Sequence, residues 1–487
     1  MFEKKIWMRL ASLLLAMALL CASLCCAEVA TELTRKCGFW VQEGKKGNLT
    51  DRNLHTDWTY KGDVARLGIE LPEGVAGGTL QIGWDFEPSA YQVEEYDAER
   101  NLLRTRDQSL TFPCIESCVD LLPETRYVFL QLDAPDQAIA ELRVFGPGEL
   151  PENVHVWNPP VEKAELMVVS THQDDELLFF GGTIPYYTVA QNRPTVVVYM
   201  ANCGRSRRQE ALNGLWAMGV RDYPDFINLK DKRVKSIEEG LKLWGGEEHI
   251  LEELVARIRR YKPEVIVTHD LDGEYGHNQH KITSRLMQDA IDAAADAARF
   301  PDTVAQYGAW QVKKLYIHLY GENQVSMPWK VPLEELGGRT PLEVARLGYA
   351  EHKSQQKYFQ VEDGGKHDNA LFGLYFTAVG LDSGANDMFE NIPTPTPEPT
   401  PTPEITPTPE PTKVPTAEPT AQIVLPLLTA EPTAAPTAEP VPTAEQSAPG
   451  GMGLLLGMLG GAVALGIAVL ALEKRARKRR RRHKRRK

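Results

Sequence analysis

Basic surface is scarce in this chain until its last residues. The 487 residues carry 54 lysines and arginines against 66 acids, a formal net charge of −12, and much of the positive charge sits in one terminal run, 474–487. The part before that run is therefore more acidic than the total suggests, and it offers no polyanion-binding surface, so nucleic acid is not an expected partner. Cysteine is sparse too: of seven, three (Cys21, Cys25 and Cys26) fall within the first 27 residues. No small residue precedes Cys21 or Cys25 in the manner of a lipobox, which disfavours a lipoprotein signal. From 393 to 449 apolar residues are almost missing among Pro, Thr, Glu and Ala. That composition excludes a packed core and predicts an extended, disordered spacer, with a maximum span on the order of 150 Å at ~3 Å per residue.

Long hydrophobic runs occur at the two ends. Lys4, Lys5 and Arg9 precede an apolar run, 10–24, that closes on Cys25-Cys26-Ala27. This is the layout of a secretory signal peptide over 1–27, with an uncleaved anchor as the alternative. Export would permit disulfides among the remaining Cys37, Cys114, Cys118 and Cys203. Cys114 and Cys118 flank a short turn and are candidates to join each other or Cys37, whereas Cys203 has no upstream base to make it a nucleophile. The second run, 451–472, is long enough at ~1.5 Å per residue to cross a bilayer core of about 30 Å. The basic tail 473–487 then stays cytoplasmic, beside anionic lipid, and everything before the span lies outside. The expectation is a single-pass cell-membrane protein with extracellular N-terminal domains.

A chain of this length suggests two folded domains plus accessory segments. Residues 28–150 have few helical stretches but several short alternating runs, 65–71, 79–84, 127–132 and 140–145, which predict an all-β sandwich. Trp40, Trp58 and Trp84 are candidates either for a sugar-stacking platform or for its core. After a linker around 146–161, strands and helices alternate from 160 to 392: extended over 166–170, helical through 189, extended over 195–201, helical over 207–218 and 247–261, extended over 265–268, helical over 281–297 and extended over 314–319. The fold class is therefore α/β, a mostly parallel sheet with helices on both faces, preceded by the sandwich.

The polar chemistry gathers at two strand ends. His172-Gln173-Asp174-Asp175-Glu176 follows the apolar run 166–170 and precedes a second apolar segment, so an imidazole and adjacent carboxylates share a strand-to-helix turn where open α/β sheets bind ligands. One carboxylate can hold a divalent ion while its neighbour stays free as a base. The competing reading is a helix cap, because acids favour helix starts. Downstream, the strand at 265–268 runs into His269-Asp270 and the loop Glu274-Tyr275-Gly276-His277-Asn278-Gln279-His280. His277 and His280 stand three apart at a helix start and can face one point.

These two motifs, with Arg207-Arg208-Gln209-Glu210-Ala211, Met218-Gly219-Val220, His352-Lys353-Ser354-Gln355 and 372–392, resemble the PIG-L/LmbE-like family of metal-dependent N-acetyl sugar deacetylases over about 160–392. The resemblance implies a Rossmann-like fold and a Zn2+ ion, with Fe2+ the alternative, held by His172, Asp175 and His280. It implies Asp174 as the base that takes a proton from the attacking water and returns it to the leaving amine. Tyr275 and His277 would meet the oxyanion, Arg207 would hold a substrate hydroxyl or brace the loop, and His269 and Asp270 would support the ligands or join them. The implied substrate is an N-acetylglucosamine-containing sugar or glycan, the alternatives being another amide or ester, or a catalytically silent carbohydrate-binding protein. Two positions depart from the family pattern: Gln173 stands where Pro is usual, and Asn278-Gln279 where Pro-Asp is usual. Upstream, 49–58 and 139–146 resemble discoidin-like, galactose-binding-like jelly rolls, which implies carbohydrate binding and a structural Ca2+ near the loop bearing Asp51.

Overall fold

The structure is a computed structural model that describes residues 28–393 except 54, 61–63, 109–111, 113 and 134–136. The expected leader 1–27, the spacer beyond Pro393, the span 451–472 and the tail 473–487 lie outside the described residues. Among the described residues no helix is long and apolar enough to cross a membrane.

Alternating residues in the N-terminal half fold into two antiparallel sheets. Strands β1 (Gly38–Val41), β2 (Ala65–Glu70), β7 (Tyr127–Leu132), β4 (Tyr91–Tyr96) and β5 (Leu102–Gln108) form one in the order β1-β2-β7-β4-β5, and β6 (Glu116–Leu121), β3 (Gly78–Trp84) and β8 (Ile139–Phe145) form the other as β6-β3-β8. In β4 the period of two is plain: Tyr91, Val93 and Glu95 are buried and the residues between them are half-buried, because successive side chains of a strand point to opposite faces. Trp58 and Trp84 are each 1% exposed and belong to this core, and only Trp40, at 38%, reaches solvent, its edge on Phe129. The three tryptophans therefore do not form a shared platform. Among the described residues all four cysteines are unpaired.

The C-terminal half has one seven-stranded sheet. Its strands are β9 (Leu166–Ser170), β10 (Thr195–Asn202), β11 (Asp225–Lys230), β12 (Val265–Thr268), β13 (Lys314–His318), β14 (Gln324–Ser326) and β15 (Leu371–Thr377), ordered β11-β10-β9-β12-β13-β15-β14. The pairings from β11 to β13 are parallel, and β15 and β14 close one edge antiparallel. All five residues of β9 are buried, as expected of a parallel strand covered on both faces. Leu166 and Val168 enter one apolar cluster, Met167 and Val169 the other. The first cluster also contains sandwich residues such as Leu67, Val128 and Leu130, so one core runs through both halves.

The helices are α1 (Asp175–Leu178), α2 (Arg205–Met218), α3 (Ile237–Leu243), α4 (Glu247–Tyr261), α5 (Asn278–Ala295), α6 (Pro301–Tyr307) and α7 (Pro341–Tyr349). The continuous helix expected through residue 189 is instead the single turn α1 followed by a π-helix, Ile184–Ala190. The break falls at Gly181-Gly182. Gly181 has φ +43°, and a Cβ there would come within 2.6 Å of the Asn369 side chain, so the chain turns where only glycine fits.

After β9 the sheet grows in both directions, to β10 on one side and β12 on the other. The two motif loops leave the adjacent C-terminal ends of β9 and β12, the switch point at which open sheets form a crevice.

Candidate active site

The loop after β9 and the loop after β12 bring three ligand-type atoms into a nearly equilateral triangle. His172 Nδ1 to Asp175 Oδ2, His172 Nδ1 to His280 Nε2, and His280 Nε2 to Asp175 Oδ2 are each 3.1 Å. The outward nitrogen of each imidazole has an oxygen acceptor: His280 Nδ1 lies 2.9 Å from Glu274 Oε2, and His172 Nε2 lies 3.3 Å from Gln279 Oε1. With those outward N–H groups donating, both inward nitrogens present lone pairs toward a carboxylate oxygen. Three acceptors facing one another suit a bound cation. Donor atoms bound to a single tetrahedral zinc at about 2.0–2.2 Å stand roughly 3.3–3.6 Å apart, a few tenths of an ångström wider than the triangle, and ligand imidazoles backed by an oxygen acceptor are the usual arrangement at such sites.

His269 and His277 also approach this point, in two overlapping sets of metal-ligand types, His172 with His277 and His280, and Asp175 with His269 and His280. His269 is ruled out as a ligand by its bonding. Its Nε2 accepts the Thr171 N–H at 2.9 Å and its Nδ1 points to Glu274 Oε2 at 2.8 Å, so it positions the loop. His277 packs its ring edge-on 4.8 Å from that of His172, and its buried Nδ1 has no hydrogen-bond partner among the described residues. The acceptor for His172 is Gln279, the residue standing where the resemblance implies Asp. The family departure thus leaves His172 oriented and the Nδ1 of His277 without an acceptor.

Asp174 is buried beside the triangle with φ +146° and ψ −24°, a backbone conformation that costs about 1–3 kcal/mol. Several contacts hold it there. Arg207 Nη2 lies 2.7 Å from its carboxylate and also donates to Gln173 O, while the Asp174 N–H donates to Glu176 Oε2 at 3.0 Å. Gln173 is bonded through its side-chain amide to Ala201 O and the Cys203 N–H, which ties the turn to the end of β10. The helix-cap reading fails on the same geometry. Asp174 occupies the cap position but its carboxylate makes no cap hydrogen bond and is turned to Arg207.

The two adjacent aspartates are driven apart. Burial, with the Asp175 charge next to it, pushes the Asp174 carboxyl well above the ordinary range, although Arg207 opposes this. Burial would raise Asp175 as well, but the His280 and His172 imidazoles hold it well below. A pair split in this way supplies one carboxyl with a raised affinity for a proton and one ionised carboxylate.

Glu274 was not singled out in the sequence, yet it organises the second loop. It is fully buried and takes His269 and His280 on one oxygen, and His318 Nδ1 (2.7 Å) and the Asp270 N–H on the other. Its burial would raise its carboxyl, but these imidazoles hold it well below the usual range. The one signal available beforehand was an acid in a histidine-rich loop, and His318, at the end of β13, gave none. Asp270 supports the loop through its backbone and is not a ligand. Tyr275 is 53% exposed, with φ +54°, and lines the hollow of about 730 Å³ that opens over the triangle, as do Arg207 and His277. Cys203 is pushed up by burial and is no nucleophile. In the sandwich, Asp51 accepts from the Thr56 hydroxyl and the Asn53 N–H. The metal-ligand groups found among the described residues all lie around His280, so the expected Ca2+ site is not borne out.

Residues 167–291 match the family model described as PIG-L: GlcNAc-PI de-N-acetylase. The chain is similar to a 1D-myo-inositol 2-acetamido-2-deoxy-alpha-D-glucopyranoside deacetylase of Geodermatophilus obscurus, 28% identical over 179 residues that cover 31% of this chain and 60% of that protein. The chain thus spans about three fifths of the length of that curated relative. Among solved structures it is similar to the N,N'-diacetylchitobiose deacetylase of Pyrococcus horikoshii, at 16% identity, 41% of this chain, 76% of that chain and a TM-score of 0.31. It is also similar to CpGH89CBM32-6 produced by Clostridium perfringens, at 14% identity, 23% of this chain, 94% of that chain and a TM-score of 0.20.

Proposed function

We propose that this chain, which carries a PIG-L/LmbE-like deacetylase-family domain at residues 167–291, is a zinc-dependent hydrolase that removes the acetyl group from an N-acetylglucosamine-type sugar. The observation that carries the reading is the 3.1 Å triangle of His172, Asp175 and His280 with Asp174 beside it. The sugar follows from the relative, whose name specifies a 2-acetamido-2-deoxy-glucopyranoside.

His172, Asp175 and His280 would hold the zinc, which when bound polarises the amide carbonyl and makes water a better nucleophile at neutral pH. Asp174 accepts the proton of the attacking water, a task suited to a carboxyl whose proton affinity burial has raised. It then delivers that proton to the departing amine, so that acetate and a free amino sugar result. Arg207 keeps the Asp174 carboxylate in place at 2.7 Å. His277 and Tyr275, on the rim of the same hollow, supply the N–H and O–H that meet the negative charge developing on the carbonyl oxygen. The leader, apolar span and basic tail read from the sequence support action at the outer face of a membrane.

Asp174→Asn is the test. With N-acetylglucosamine glycosides as substrate and acetate release as readout, the variant is expected to bind zinc as the parent does and to lose turnover by about 10²–10⁴-fold. Undiminished turnover would remove Asp174 as the base. A parent protein that takes up no metal and releases acetate only from O-acetyl sugars would overturn the reading.

A further inference from the structure

Two hollows meet along the seam between the sandwich and the α/β half, apart from the site described above. One, of about 510 Å³, lies between β3, β8 and α2; the other, of about 930 Å³, follows residues 149–156, and the two share Asn153, His155, Asn213 and Lys353. They form one groove. The start of α2 separates it from the metal site: Arg205 lines the groove and Arg207 lines the site. The loop after α7 repeats the division, with Lys353 on one side and Gln355 on the other. Residues two apart, on the helix start and on the loop, thus face opposite hollows.

The chemistry of the smaller hollow narrows what it can hold. Its lining side chains are amides, guanidinium groups, carboxylates, an imidazole and an ammonium, with no aliphatic or aromatic hydrocarbon side chain among the described residues that line it. Several keep bonding capacity. Gln81 accepts from Arg143 at 3.2 Å but its amide nitrogen has no partner among the described residues, Asn213 accepts from Gln209 at 3.0 Å and is likewise left with its NH₂, and His155 is tied to Glu116 through Nδ1 alone. The cations are matched: Arg52 and Arg143 both pair with Glu32, and Lys353 with Glu351. A ligand here needs many hydroxyl or amide groups and no net charge. A polyphosphate would meet Glu116 and Glu141, and a lipid chain would find hydrocarbon only in the larger hollow, where Leu150, Val154, Val156 and Trp216 line one stretch.

We infer that this groove binds the sugar units flanking the one that is deacetylated, so that the substrate is a glycan chain several units long. The inference rests on the deacetylase reading and specifies its substrate. It is tested with the zinc-loaded full chain and the double variant Asn153→Ala/Asn213→Ala, both positions being outside the catalytic machinery. On a long N-acetylated chito-oligosaccharide, kcat/KM is expected to fall about tenfold, the product of two hydrogen bonds. On a single N-acetylglucosamine glycoside it is expected to stay unchanged. Calorimetric binding of the same oligosaccharide to Asp174→Asn protein, with and without the two groove substitutions, gives a readout free of turnover. Equal responses to short and long substrates, or oligosaccharide binding indifferent to the substitutions, would overturn the inference while leaving hydrolysis intact. Binding that is lost with the substitutions would uphold the groove even if the parent released no acetate, and in that case only the hydrolysis reading would fall.

Discussion

Glu274 places a negative charge where no water reaches, and it is tolerated because three imidazoles and a backbone amide surround it. Its carboxylate sets which nitrogen of His280 points at the triangle, by accepting the N–H of the other. Glu274→Gln keeps the shape but offers one oxygen and an NH₂ that donates into the same ring of donors. Zinc affinity, measured by competition with a chelator, is expected to drop about 10–100-fold, and unchanged affinity would show that His280 is oriented by something else. The site histidines and aspartates were legible in the sequence because both motifs follow apolar runs that read as buried strands, 166–170 and 265–268, and because the pair of motifs resembles a known family. Glu274 and His318 were not, because their role depends on sitting opposite one another across adjacent loops, 44 residues apart. Gln279 shows the same gap from another side: that its oxygen faces His172 depends on the meeting of the two loops.

Strand β4 turns one acid inward among apolar neighbours, and the sandwich is built around that exception. Glu95 is 0% exposed; Arg104 and Arg106 of β5 reach it from the side, and the Leu122 N–H and Thr125 hydroxyl from beyond β6. Burial would raise its carboxyl, but these donors bring it below the ordinary value. A depressed folded pKa means stability that is fully present above the unfolded value of about 4.3 and lost as pH falls through the lower folded one. Glu95→Gln is thus expected to cost on the order of 3 kcal/mol at neutral pH. Thermal melts of parent and variant should keep a constant gap above about pH 5 and converge in acid; a gap that widened in acid would contradict the assignment. Among the sandwich strands β2, β3, β7 and β8 were readable from alternation, with bounds within a residue, whereas β4, β5 and β6 were not singled out. The helix after the first motif was misread, since apolar periodicity cannot register that Gly181 turns to positive φ against Asn369.

The two halves, expected as domains joined by a linker around 146–161, pack against each other within one compact unit. Polar contacts seal the junction: Arg208 of α2, fully buried, pairs with Glu87, the Tyr223 hydroxyl accepts the Ile115 N–H, and Glu116 takes up His155, Trp157 and Gln209. With apolar residues of both halves in one cluster, calorimetry should record one cooperative transition for the folded region. Glu116→Ala, which leaves these three donors of the seam without their acceptor, should move that transition as a whole, by on the order of 3 kcal/mol; two separated transitions in the parent would refute the shared core. By itself the sequence determined the alternation of strands and helices around the two motifs, the two loops that carry the chemistry, and the residue types able to bind a cation, because buried periodicity and motif spacing are local properties. Only the tertiary structure decided which nitrogen of each site histidine faces the triangle, that Glu274 orients three histidines, that two tryptophans are core, and that a polar groove lies along the seam. Each of those depends on groups distant in the chain meeting at a few ångströms, a distance set by the packing of sheets and helices.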